Sequence, residues 1–294
     1  MLIAVICPVR VFACACGCGV FDVGTSSMFP YQTGGMTFLE YDYMNQSRNW
    51  SGTKSSSASN NDDKQIRTNF YTAGAQYTLN RSWTLEGEVP VWNRHFETFN
   101  DPDLQTFNHT ALGDIRIKAT YTGLSDDFSE GLTFGVKLPT GDAAYVNFDP
   151  DTEIGSGSYD LLLGGYHNGQ LSSDGKYNYF LNGEVDLPVQ HLSYYRPGKE
   201  YDAVVGAYYN GWKVGKHKLA PLLQLIGSVR TRDGGPLGVS NNSGYERVLL
   251  APGLELHAGS YHIYGDVGFP IYQNVIGNQL TASALYKINI SHTY

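Results

Sequence analysis

The sequence predicts an all-β chain: a transmembrane, antiparallel, up-and-down β-barrel of about 12 strands. Three observations carry the prediction. Apolar and polar residues alternate with period two in segment after segment from residue 35 onward. The connections between those segments alternate short and long. Aromatic residues, including 22 Tyr, gather at segment ends.

The stretch GDIRIKATYTG, residues 113–123, shows the alternation most plainly. Asp114, Arg116, Lys118 and Thr120 fall on one face, and Ile115, Ile117, Ala119 and Tyr121 on the other. The same division recurs in WTLEGEVPV and FLNGEVDLPV. In the last segment Leu280, Ala282, Ala284, Tyr286, Ile288 and Ile290 are expected to share one face, opposite Thr281, Ser283, Lys287 and Asn289. Such alternation fits a barrel whose apolar residues meet lipid and whose polar residues meet the lumen.

In chain order the segments are 36–46, 65–79, 83–93, 110–123, 131–139, 158–170, 177–189, 201–212, 219–231, 247–257, 261–272 and 280–294. A tilted membrane-crossing strand needs about 9–11 residues, and most segments meet that length. No amphipathic helix of useful length is evident. Short connections lie at 80–82, 124–130, 171–175, 213–217 and 258–260, and longer ones at 47–64, 94–109, 140–157, 190–200 and 232–246. Short turns on the periplasmic rim and long loops on the outer rim explain that order, with both barrel ends periplasmic. FLEYDY, YNYF, AYYNGW and PIY put Tyr, Trp and Phe where interfacial girdles belong. Pro90, Pro139, Pro188 and Pro270 lie near the ends of upward strands. Proline cannot donate to a ladder, so each is expected at a bulge or where a strand leaves the sheet.

The polar faces carry the candidate lumen-lining residues. The acids are Glu40, Asp42, Glu86, Glu88, Asp114, Asp160, Glu184, Asp186, Asp202, Glu255 and Asp266, and the bases are Arg116, Lys118, Lys137, Arg230, Arg232, Arg247 and Lys287. Some 12 strands spaced ~4.8 Å and tilted ~40° make a barrel about 24 Å across, with a bore of ~10 Å or less. Opposite charges then fall within pairing distance. A lumen-filling ion-pair network and a charged solute path both follow, and the two are compatible. The acidic excess favours cations or neutral polar solutes over anions. Phe38, Phe70 and Tyr208 are the apolar candidates on the inner face.

The chain has 294 residues, of which residues 35–294 make the barrel. Residues 1–13 read as an export signal, MLIAVICPVRVFA, although a basic start is missing and Pro8 and Arg10 break the apolar part. Residues 14–34 read as a Cys-containing periplasmic segment. Its first residue is either a new N-terminus or a lipidated Cys14, though Phe12 suits the second poorly. Cys14, Cys16 and Cys18 stand at every second position and are the metal candidates, for a soft ion such as Cu(I). They lack the spacing zinc sites use, and no disulfide framework is available to the Cys-free barrel.

The formal net charge of −8 argues against a nucleic-acid partner. No G-x-S-x-G, H-E-x-x-H or G-x-G-x-x-G after a strand is present, so neither an enzyme nor a cofactor is expected. His257, Ser260 and His262 flank one turn, but Glu255 and Asp266 beside them read more simply as lumen charges. Asp149, Asp151 and Glu153 read as a solvated acidic loop.

GDIRIKATYTG, GLTFGVKLPTGD and GSGSYDLLLGGYH occur in that order over residues 113–167. This stretch resembles the outer-membrane channels named for the meta-pathway of phenol degradation. The specific element is the LPTG strand end followed by a Gly-rich start to the next strand. The resemblance implies a porin-like bacterial outer-membrane barrel that carries small, aromatic or hydrophobic solutes. It supplies no catalytic residues. The expected partners are the lipid bilayer and a small-molecule solute. A second reading is a plugged barrel that scaffolds a periplasmic protein partner, or a metal, through its Cys-bearing segment.

Overall fold

A computed structural model describes residues 29–30, 32–100 and 102–294. The strands are β1 (Gly34–Gly52), β2 (Lys54–Ser55), β3 (Asp63–Asn80), β4 (Trp83–Asn100), β5 (Asp103–Leu112), β6 (Ile115–Tyr121), β7 (Glu130–Leu138), β8 (Tyr159–Gln170), β9 (Tyr177–Gln190), β10 (Glu200–Tyr209), β11 (Trp212–Val214), β12 (His217–Arg230), β13 (Tyr245–Ala258) and β14 (Tyr261–Thr293). Neighbours pair antiparallel in the order β10-β9-β8-β7-β6-β4-β3-β1-β14-β13-β12, and β12 pairs back to β10. The sheet is therefore closed, which leaves no unpaired barrel edge in hydrocarbon.

β14 makes two passes. Its first half pairs with β13 from Ala258↔Tyr261 to Tyr245↔Val275, and its second half pairs with β1 from Asn278 to Thr293. Gly277, at φ 76°, sits in the reversal. The two halves meet again at the rim, where Thr293 N donates to Ser260 O at 2.9 Å. β5 and β6 share one partner, β4, and form a single interrupted pass. The barrel thus has 12 passes, counting two in β14, one in β5 with β6, and none in the short β2 and β11.

Register sorts the side chains. Leu85, Ala119, Phe134, Leu163, Val185, Tyr201 and Val229 follow one another across seven strands. Leu85, Phe134, Tyr201 and Val229 in that row are exposed. One residue over, Glu86, Lys118, Gly135, Leu162, Asp186, Glu200 and Arg230 form the matching inner row. An exposed apolar outer belt around a polar interior is the inverse of a soluble β-protein, and it is the arrangement of an outer-membrane barrel. At the short-turn rim Trp83 packs against Tyr121 and Tyr177 against Tyr209, with ring centroids 5.2 and 4.8 Å apart. This is one aromatic girdle.

The prolines lie where their missing N–H predicts. Register shifts fall opposite Pro188 and Pro270. Pro90 faces the gap between β5 and β6, where its carbonyl accepts from Gly113 N at 2.8 Å. Pro139 directly follows β7.

Two expectations are corrected. The connections 47–64 and 94–109 contain much strand: β1 runs on to Gly52 paired with β14 and β2, β3 starts at Asp63 paired with β4, and β4 with β5 continues as a hairpin to Asn100↔Asp103. Polar residues in these stretches still satisfy their backbone by cross-strand pairing. In the last segment Leu280 and Ala282 point inward and are buried, while Tyr286, Ile288 and Ile290 are exposed. The shift between Met44 and Gln46 in the β1–β14 ladder explains the change, because one extra residue exchanges the two faces.

Candidate functional site: the barrel lumen

Three lysines organise the polar wall, Lys118 and Lys287 buried and Lys137 half-buried. Lys118 lies 3.4 Å from Glu184, 3.5 Å from Glu88 and 3.9 Å from Glu86. It reaches Glu184 across two intervening strands because the inner positions there are Gly135 and Gly164. A Cβ on Gly135 would stand 3.0 Å from Lys118 Cγ. Lys137 pairs with Asp160 and, at 2.6 Å, with Asp186. Lys287 pairs with Glu40 at 2.8 Å and Asp42 at 3.7 Å, and Asn289 donates to Glu40. Each ammonium therefore serves at least two carboxylates. Such clusters add little net stability, but removing one member leaves an uncompensated charge.

The other expected lumen residues separate by height and partner. Asp114 is buried in the gap before β6 and accepts from Gly141 N, Ser156 N and Ser156 Oγ. It thereby fixes the loop between β7 and β8. Arg116 lines the cavity beside Lys118. Asp202 is buried and accepts from Ser228 Oγ. Arg230 pairs with Asp233 at 3.0 Å, and the Arg247 guanidinium lies 4.8 Å from the Tyr245 ring centre. Asp266 accepts from Gln224 and Tyr264. Glu255 meets His257 and His262 near the short-turn rim. Arg232 is the exception. It is exposed in the loop after β12, because the strand and its alternation end at Arg230. Cys14, Cys16 and Cys18 lie outside the described residues.

Apolar groups share the interior. Phe70, Tyr166, Phe180, Val204, Ile226 and Leu249 form one buried cluster, with Trp92 and Tyr208 packed against it. Phe70 and Tyr208 were expected on the inner face from their sequence parity. Phe38 is also buried, its ring over Gly74. The others were legible from the same parity, since Tyr166 follows Gly164 and Phe180 precedes Asn182 and Glu184 by even steps. Glycines make room for these rings. A Cβ on Gly206 would lie 2.3 Å from Phe180, and one on Gly131 2.4 Å from Tyr166.

Two inserted segments bound the space between the charged and aromatic walls. From the outer side, the loop 139–158 folds inward. Arg94, fully buried on β4, donates to the carbonyls of Thr152 and Glu153. Phe148 packs on Phe96, Ile66 and Leu280. Burial pushes the Glu153 carboxyl up to about 8 and the Asp149 carboxyl to about 6. Asp149, Asp151 and Glu153 are thus part of the closure rather than a solvated loop. From the other side Phe29 enters the bore. Its ring stacks on Tyr166, with centroids 4.6 Å apart and planes 10° apart, and meets Phe180 edge-on at 6.0 Å. Between these closures lies a cavity of about 200 Å³, lined by Phe29, Glu153, Ile154, Tyr166 and the Lys118 and Lys137 clusters.

Among solved structures, an outer-membrane channel from Pseudomonas putida F1 superposes with a TM-score of 0.71 over 92% of this chain and 100% of its own, at 14% identity. The fold is that of outer-membrane β-barrels. The β domain of the Bordetella autotransporter BrkA is more distant, with a TM-score of 0.53, 11% identity, and coverage of 90% of this chain and 100% of its own. No protein-family model and no curated protein sequence matches the chain.

Proposed function

We propose that this protein is an outer-membrane channel for small neutral aromatic solutes, held closed at rest by Phe29 and the loop 139–158. The observation that carries the proposal is Phe29 itself. The chain places one of its own aromatic rings in a slot of Tyr166 and Phe180, beside a cavity of about 200 Å³. A space of roughly 150 Å³ is enough for a benzene ring, so a monocyclic ring fits by volume in the cavity that Phe29 adjoins, whose wall is part aromatic and part charged. The neighbouring clusters hold more carboxylates than ammonium groups, so they offer hydrogen bonds to a polar substituent while disfavouring an anion. The likeness to the Pseudomonas putida channel supports the channel reading at the level of fold.

The test is solute flux through reconstituted protein. Proteoliposomes should take up a phenol or benzyl alcohol faster than protein-free vesicles, with benzoate excluded. Uptake equal to that of empty vesicles, together with no current in planar bilayers, would support the sealed scaffold instead.

A further inference from the structure

We infer that Glu255, His257 and His262 form a divalent transition-metal site, Zn²⁺ first, on the inner wall at the short-turn rim. This trio belongs to none of the closures or clusters assigned to the solute path. His257 and His262 are direct cross-strand partners at the end of the β13–β14 ladder, and Glu255 is two residues before His257 on the same inward face. All three therefore converge by register alone, across the two-residue turn Gly259–Ser260.

The distances are those of a preformed coordination set. Glu255 Oε1 lies 3.4 Å from His257 Nε2 and 3.4 Å from His262 Nδ1. The three ligand atoms all lie within 4.8 Å of one another. Zinc bound to nitrogen and oxygen at about 2.0–2.1 Å in a tetrahedron separates its ligands by roughly 3.3–3.5 Å. Both Glu255 separations already match that edge, so a small rotation of the two rings suffices. Glu255 is buried, with 3% of its surface exposed, whereas both imidazoles are half-buried and open to the bore. An ion can enter from the periplasm, and its fourth position would hold water. Two imidazoles and one carboxylate favour a borderline ion over Ca²⁺ or Mg²⁺, which take oxygen ligands. Lys218, paired with His257 on the other side, is exposed and turns its charge to water.

The experiment uses the full chain folded in detergent micelles, its affinity tag removed, with Cys7, Cys14, Cys16 and Cys18 changed to Ser. Zn²⁺ binding is measured by calorimetry and metal content after dialysis, and Co²⁺ is used as a spectroscopic probe. One Zn²⁺ per chain is expected, with the visible absorption of a tetrahedral nitrogen–oxygen Co²⁺ site. H257A, H262A and E255Q should each lose the binding event while heat-modifiable gel mobility shows an intact barrel. Absence of Zn²⁺ binding in the Cys-free chain, or binding unchanged in H257A and H262A, would overturn the site. Neither result bears on solute flux, so the channel proposal stands or fails separately.

Discussion

Replacing Phe29 with Ala tests the closure most directly. Phe29 is 9% exposed and stacked nearly parallel on Tyr166. Burial of a Phe side chain contributes about 2 kcal/mol and an aromatic pair about 1 kcal/mol more, less roughly 0.5–1 kcal/mol of side-chain entropy. The substitution leaves the backbone ordering cost nearly unchanged, so the difference is the side-chain contribution, about 2 kcal/mol. That corresponds to roughly a thirtyfold rise in the fraction of barrels with the slot vacated. Single-channel recording in planar bilayers reads this as open probability, and proteoliposome swelling reads it as flux. F29A should open about thirty times more often than wild type, whereas F29Y should stay close to wild type. Equal open probability in wild type and F29A, in protein that shows normal heat-modifiable mobility, would refute the plug.

Three further outcomes follow from the same geometry. K118M leaves Glu86, Glu88 and Glu184 facing one another without their shared cation, and should destabilise the barrel by about 3 kcal/mol in urea unfolding, with part of the loss recovered in K118M/E184Q. F134R puts a charge in the middle of the outer apolar row, and should cost roughly 2–4 kcal/mol in lipid vesicles. The raised Glu153 carboxyl binds its proton more tightly when the loop 139–158 is docked, so its contribution to docking is complete below its ordinary value of 4.5 and is lost as pH rises through about 8. Channel opening should therefore increase between those values, and E153Q should flatten the pH profile.

Period-two alternation, sorted connection lengths and aromatic residues at segment ends were sufficient to predict a lipid-exposed barrel of about 12 strands. Strand geometry couples side-chain direction to residue parity, so Asp114, Arg116 and Lys118 could be assigned to the interior from the sequence alone. Pro188 and Pro270 could be assigned to irregularities because a missing donor has only local consequences. The faces of Leu280 and Ala282 were not legible, because a bulge exchanges parity and depends on the partner strand.

Which charges meet was likewise a matter of tertiary structure. Lys118 reaches Glu184 only because Gly135 and Gly164 stand between them on other strands, 66 residues of chain apart at the two ends. Arg232 follows the polar sequence pattern yet lies outside the bore, since the strand stops at Arg230. The inward course of the loop 139–158 and the seating of Phe29 on Tyr166 follow from no local pattern. Alternation along a strand is set by backbone sterics and is written in neighbouring residues. Closure of a lumen is set by contacts between segments far apart in the chain, and only the folded barrel brings them together.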